Sequence, residues 1–277
     1  MFIDRRCGYS GQEFHYTPND FKDRDGFADC SKRQKEAEGS MFCTLPFSNT
    51  VEAEAMGAEV NFQKENDTPR IPKFICSSHD EVLALPDIDY DSGRIGEILS
   101  ACRLLKERGE NVLYELSGPL TILNGLIDIS IVLKAVRKQP DKMKKIYRKM
   151  EDELIKFAGC LVDAGVRFIS YADPVGTKEI LGQKTVKRVM EDFTLPFLKR
   201  LKEEVQGEFT VILCPKAGGD LVDAGMAVIE EIKTKKICSY AEACIEVENR
   251  ADIICHMCIH KEKMILKDQK INILRLA

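Results

Sequence analysis

Hydrophobic positions recur along this chain in two alternating rhythms. Stretches with apolar residues every three to four positions, the mark of helices buried on one face, alternate with short apolar runs that read as buried strands. The helical period is clearest at 93–108, where Ile95, Ile98, Leu99, Cys102 and Leu105 share one face and Gly109 ends the pattern. A strand comes next at 111–116. The same reading gives helices at 120–138, stopped before Pro140, and at 142–163, ended by Gly165, and then a strand at 166–171. A long helical stretch at 185–205 carries a break or kink at Pro196 and leads to a strand at 209–214. Further on come a helix at 221–234, a short strand at 236–238, a helix at 240–250, a strand at 252–256 and a closing apolar run at 271–274.

The first forty residues depart from this rhythm. They are rich in charge and poor in periodicity, so 1–40 reads as an irregular N-terminal segment with one short helix at 29–38, and Cys7 and Cys30 as loop or packing cysteines, with a ligand role the lesser alternative. From Met41 the pattern gives a loop, a short helix at 51–56 and a strand entered through Gly57. An extended PRIPKF connection comes after it, its prolines removing backbone donors. Residues 41–277 read as one (β/α) barrel domain. Repeated helix–strand alternation argues for a parallel sheet with helices outside it, closed or open. No GxGxxG comes after an early strand, which weakens the nucleotide-binding open sheet and leaves a barrel as the leading architecture. GxxxxGK[ST], HExxH and GxSxG are also missing.

Composition changes little. Apolar content of 44% and charge of 31% are those of an ordinary globular chain, and a net charge of -4 gives no electrostatic reason to expect nucleic acid or an anionic membrane. No run approaches the roughly 18 apolar residues of a membrane span. The eleven cysteines are odd in number, scattered and mostly in apolar contexts, which suggests a cytoplasmic protein without disulfides.

Candidate chemistry gathers at the ends of the predicted strands, where a parallel barrel builds its active site. The rim positions are Glu115 and Ser117, then Tyr171 and Asp173, then Cys214 and Lys216, and finally ADIICHMCIH at 251–260. That last stretch holds two of the eleven cysteines and two of the four histidines, a density that suggests a soft or borderline metal such as zinc. There is no second CxxC, so a further ligand has to come from elsewhere. In an extended segment His256 and Cys258 share a face, leaving Cys255 as the core residue and His260 toward solvent. Cys214, Cys258 and His256 are therefore the candidate metal ligands. Asp173 and Glu115 are candidate catalytic residues and Ser117 and Tyr171 candidate cofactor-binding residues, with a turn former or helix cap the competing reading for Ser117 and Asp173. The pair Glu52 and Glu54 shares a face only if extended, and otherwise reads as a solvated acidic helix start.

Four segments carry a family resemblance: CTLPFSNTVEAEAMGAEVNF at 43–62, ELSGPLTIL at 115–123, YADPVGTKEILGQKTVKRVMEDFTLPFLKRL at 171–201 and TVILCPKAGGDLVDAG at 210–225. They resemble the uroporphyrinogen decarboxylase superfamily, and within it the methylcobamide:coenzyme M methyltransferase branch. The resemblance implies a shortened (β/α)8 TIM barrel. It also implies zinc, held by a His-x-Cys pair and a later cysteine, and a methyl group moved between a corrinoid on a separate protein and a small-molecule thiol or similar acceptor. Cys214 matches the cysteine of the pair and Cys258 the later one. The histidine position is Ile212, and His256 is the candidate replacement. An arginine-rich MRQAGR-type motif is not found, which weakens porphyrinogen decarboxylation. Two other readings stay open: a non-catalytic corrinoid-binding or regulatory barrel that has lost the metal, and a metal-independent decarboxylase of the superfamily.

Overall fold

Parallel strands buried on both faces need apolar residues at every position, and β2 (Val112–Ser117), β3 (Phe168–Ala172) and β4 (Thr210–Leu213) are covered almost throughout. In the computed structural model, which describes residues 3–7, 14–62, 68–205 and 207–277, these three strands form the centre of the sheet. The other strands are β1 (Cys43–Leu45), β5 (Ala227–Lys233), β6 (Cys238–Ser239), β7 (Ile253–Ile254), β8 (Ile265–Leu266) and β9 (Lys270–Leu276). The main sheet has the order β1-β2-β3-β4-β7-β9-β5. Neighbours from β1 to β7 run parallel, whereas β9 and β5 add to it antiparallel. The architecture is the expected shortened α/β one, with five parallel strands in its sheet.

The period of two along each strand divides the molecule into two cores. Tyr114, Ile169, Tyr171, Val211 and Leu213 face the outer helices. Leu113, Phe168, Ile212 and Ile254 face the opposite side. That second face is covered by the helix Tyr240–Val247, which buries Tyr240, Ala243, Cys244 and Val247 there. A capping box starts this helix: the Ser239 hydroxyl accepts from the Glu242 N–H at 3.2 Å, and Glu242 accepts from the Ser239 N–H at 2.8 Å. On the outer face Tyr171, Phe197 and Phe193 form a stack with ring centroids 5.2 and 5.4 Å apart, pairs worth about 0.5–1.5 kcal/mol each beyond the area they bury.

Four local expectations change. The helix expected at 221–234 is the helix Pro215–Asp223 and then β5; Gly225, at φ +74, ends the turn, and seven cross-strand partners on β9 hold the next segment extended. The helix expected at 120–138 breaks into Pro119–Leu126 and Ile129–Lys138, because Ile127 bridges to Cys76 and Asp128 caps the Ser130 N–H at 2.8 Å. In the N-terminal region the helix Arg24–Glu38 begins five residues earlier than expected, capped by Asp23 on the Gly26 N–H. Parts of 1–40, namely 1–2 and 8–13, lie outside the described residues. Pro196 is absorbed without a break, since a π turn at Met190–Thr194 widens the helix just where the proline removes a donor.

Candidate functional site

A cavity of about 440 Å³ opens beyond the C-terminal ends of the parallel strands. Glu115 comes to it from β2, Ser170 and Ala172 from β3, and Ile212 and Cys214 from β4 and its end. Cys258 and His260 come from the loop after β7, and Arg5 and Cys7 from the N-terminal segment.

Cys214 is placed by its backbone. It caps the helix Pro215–Asp223, whose first position is a proline with no N–H to satisfy. The Lys216 and Ala217 N–H groups of its first turn lie near the thiol without closing a capping hydrogen bond to it. Burial raises its pKa, and those two N–H groups and the Lys216 charge pull against that rise. The next turn of this helix is built for close approach. A Cβ at Gly218 would lie 2.2 Å from Cys255 Sγ, and one at Gly219 would lie 2.2 Å from Arg5 Nε. Cys255 is thus the core residue its face predicted, and burial pushes its thiol up to about 12.

His256 and Cys258 part company. The strand ends at Ile254, so the period of two does not carry on to residues 256 and 258. Cys258 lines the cavity, whereas His256 Nδ1 accepts the Asn272 N–H at 3.1 Å and its ring lies 5.7 Å from that of Tyr240, away from the cavity lining. Burial holds its pKa down. His260, expected toward solvent, lines the cavity with Nε2 3.2 Å from Glu115 Oε1, and that contact raises its pKa.

The remaining candidates fall behind the rim. Tyr171 sits between two cavity-lining residues, Ser170 and Ala172, so its own side chain points outward onto Phe197. Ser117 is buried; its hydroxyl meets Asn49 Oδ1 at 3.4 Å, and Asn49 is the residue of that pair that reaches the cavity. The Asp173 carboxylate accepts from the Leu120 N–H at 3.1 Å, the Thr121 N–H at 2.9 Å and the Thr121 hydroxyl at 2.6 Å. It therefore caps the helix Pro119–Leu126 from the neighbouring strand. Glu52 and Glu54 lie on a helix, Val51–Ala55, and separate: Glu54 pairs with Arg94, while Glu52 is buried, not solvated. Desolvation pushes the Glu52 carboxyl up to about 7. Cys7, read first as a loop or packing cysteine, lines the cavity, and nothing in an aperiodic segment says which distant element it meets.

The trio Cys214, Cys258 and His256 does not fit a zinc ion, because His256 is turned to β9. Among the described residues no three His, Cys, Asp or Glu side chains are assembled to hold a metal. What the cavity presents is sulfur: Cys7, Cys214 and Cys258, the donor chemistry that zinc prefers.

A parallel sheet with its reactive groups at the strand ends, and cysteines from two strand ends on one cavity, defines an α/β protein with a barrel-type rim site. The chain belongs to the uroporphyrinogen decarboxylase (URO-D) family, whose model matches residues 42–260. It is similar to a methylcobamide:CoM methyltransferase, MtaA, of Methanosarcina barkeri, at 25% identity over 223 residues, 79% of this chain and 65% of the relative. An MtbA methylcobamide:CoM methyltransferase of Methanosarcina mazei is 24% identical over 194 residues, 66% of this chain and 55% of the relative. A solved methyltransferase from Methanosarcina mazei shares the fold with a TM-score of 0.63 at 23% identity, covering 74% of this chain and 61% of that one. The chain spans less than two thirds of the length of these relatives. Among the described residues no helix is long and apolar enough to cross a membrane.

Proposed function

We propose that this chain is a corrinoid-linked methyltransferase that delivers a methyl group to a small thiol held in the rim cavity. The observation that carries this reading is the meeting of Cys214 and Cys258 on one cavity, in a chain related to proteins named for methyl transfer to coenzyme M. A cavity of about 440 Å³ accommodates a small thiol. In this reading the methyl donor is presented at its mouth by a separate corrinoid protein. When bound, the corrinoid supplies the methyl group; the acceptor has to meet it as a thiolate, the nucleophilic form of sulfur.

The chain's own groups favour that form. Lys216, the Lys216 and Ala217 N–H groups and the His260 ring held by Glu115 place positive or donor character along the wall where an acceptor would lie. Zinc belongs to this reading through the sulfur donors alone, and no step is routed through it. The test is demethylation of methylcobalamin, or of a methylated corrinoid protein, by the purified chain with coenzyme M and other small thiols. Transfer that is lost in Cys214→Ser supports the proposal, and the absence of any transfer in the intact protein sinks it. Ile212 in the expected histidine position favours one second reading, a barrel that binds a corrinoid protein without turnover. Saturable binding with no methyl loss would single that reading out.

A further inference from the structure

The helices beside the rim end of β3 carry a concentration of positive charge. Between positions 134 and 149 eight side chains are Lys or Arg and one, Asp141, is acidic, in a chain whose net charge is -4. Three helices share this charge. Ile129–Lys138 exposes Lys134, Arg137 and Lys138 at helical spacing, and Gln183–Val189 exposes Lys184 and Lys187. Arg188 ties the two together by donating to the Val136 carbonyl at 3.3 Å. The third helix, Pro140–Asp163, exposes Lys145 in its second turn. Lys187 pairs with Glu191 at 3.8 Å, whereas Lys134, Arg137, Lys138, Lys145 and Lys184 have no carboxylate within ion-pair distance among the described residues.

The aromatic stack fixes the height of this basic collar. Tyr147 lies with its ring centroid 5.5 Å from that of Phe193, at the start of the row that runs through Phe197 to Tyr171 on β3. Position 147 is therefore level with the strand end, and Pro140–Ile146 stand beyond it by about 10 Å at 1.5 Å per residue. Lys184 precedes Phe193 on the helical run that leads down to β4, so it too stands on the rim side. Thr177 lines the cavity six residues before that helix begins, which places the collar within about 20 Å of the cavity wall.

What such a surface fits is set by what lies between its charges. No apolar or aromatic side chain is exposed on 129–149 or 183–189. There is no ring on which a base could stack and no apolar wedge for a bilayer, so the collar reads charge alone, as an acidic protein surface presents it. We propose that the collar is the docking surface for the protein that presents the methyl donor, and that this partner meets it with an acidic face. Opposite charges around a rim speed and orient the encounter, which brings the donor over the adjoining cavity mouth. The inference rests on the methyl-transfer reading for the partner's cargo, and not for the sign of its surface.

The test compares the full chain with a collar variant, Lys134→Glu with Lys145→Glu and Lys184→Glu, one reversal on each helix. A control, Arg103→Glu with Lys106→Glu and Arg250→Glu, makes the same change in net charge at exposed positions that lead into β2 and β7, at the opposite ends of the strands. Binding of poly-L-glutamate, an acidic polypeptide without cargo, should weaken about tenfold in the collar variant and stay unchanged in the control, and the difference should vanish at about 0.5 M salt. Transfer from a methylated corrinoid protein should fall by a similar factor in kcat/KM, while transfer from free methylcobalamin, which needs no docking, should not change. Poly-L-glutamate binding that survives in the collar variant overturns the proposal, as does a preference of the chain for poly(U) or for phosphatidylglycerol vesicles. Transfer from the methylated corrinoid protein that is indifferent to the reversal overturns the docking surface and leaves the function standing. A collar that binds poly-L-glutamate in a chain that transfers no methyl group from either donor keeps the acidic partner and removes the function.

Discussion

His260 Nε2 lies 3.2 Å from Glu115 Oε1, joining the loop after β7 to the rim end of β2 across the cavity. The carboxylate raises the pKa of the imidazole above its ordinary value. A histidine whose folded pKa is raised adds stability that is fully present below its unfolded pKa of about 6.5 and is lost as pH rises through the folded value. Both side chains are partly exposed, so solvent screens the contact. Proton NMR of the imidazole should show His260 titrating above pH 6.5 and moving down in Glu115→Gln, while His256 titrates below its ordinary value. An unshifted His260 in the variant would show the contact to be idle.

Glu52 should make the protein lose stability as the solution is brought from acid to neutral. Burial raises its pKa from 4.5 to about 7, so between those values the folded state holds a proton that the unfolded state gives up. The loss is on the order of 3 kcal/mol at most. Its Oε2 accepts no hydrogen bond among the described residues, which is the physical reason the charged form is disfavoured. Urea unfolding of Glu52→Gln at pH 5 and pH 8 should give a flatter dependence than the parent; an identical slope would refute the assignment.

The adjacent glycines should differ in their response to the same substitution. Gly218→Ala drives a methyl group into the Cys255 sulfur, which is locked in the core, and should cost about 1–3 kcal/mol. Cys255→Ala should restore part of that loss in the double variant, a coupling that a cycle of four proteins measures. Gly219→Ala meets only the far end of the flexible Arg5 side chain, and helix propensity offsets the displacement, so stability should stay within about 0.5 kcal/mol. Its effect should be on the N-terminal segment, which Arg5 anchors to Asp223, seen as faster trypsin cleavage at Arg5 and Arg6.

Asp173→Ala should cost roughly 2–4 kcal/mol in chemical denaturation, because it leaves the first turn of the helix Pro119–Leu126 without its acceptor. Asp173→Asn keeps one acceptor oxygen and should cost less. A loss of methyl transfer with unchanged stability in Asp173→Asn would instead give the residue a direct role.

How much of each element can be seen in the sequence depends on where its residues get their partners. The central strands β2, β3 and β4 are legible because burial on both faces leaves a continuous apolar run, and Cys214 is legible as the end of the strand read at 209–214. β5 is not, since a half-exposed strand reading AVIEEIK fits a helical face equally well until β9 pairs with it. Tyr171 reads onto the wrong face because its polar tip draws it toward the site, although the residues on either side of it are the inward ones. His256 is carried inward only by extrapolating a strand that stops two residues earlier. Cys7 depends wholly on contacts such as Arg5 to Asp223, which no local pattern announces.

The order of the sheet also bears on how the chain is made. β5 leaves the ribosome before β9, yet it joins the sheet through β9, which inserts between it and β7. The four leading parallel strands can pair as they emerge, whereas β5 must wait for the last residues of the chain. A nascent chain halted before Lys270 should therefore hold its N-terminal strands protected from hydrogen exchange while Ala227–Lys233 exchanges freely.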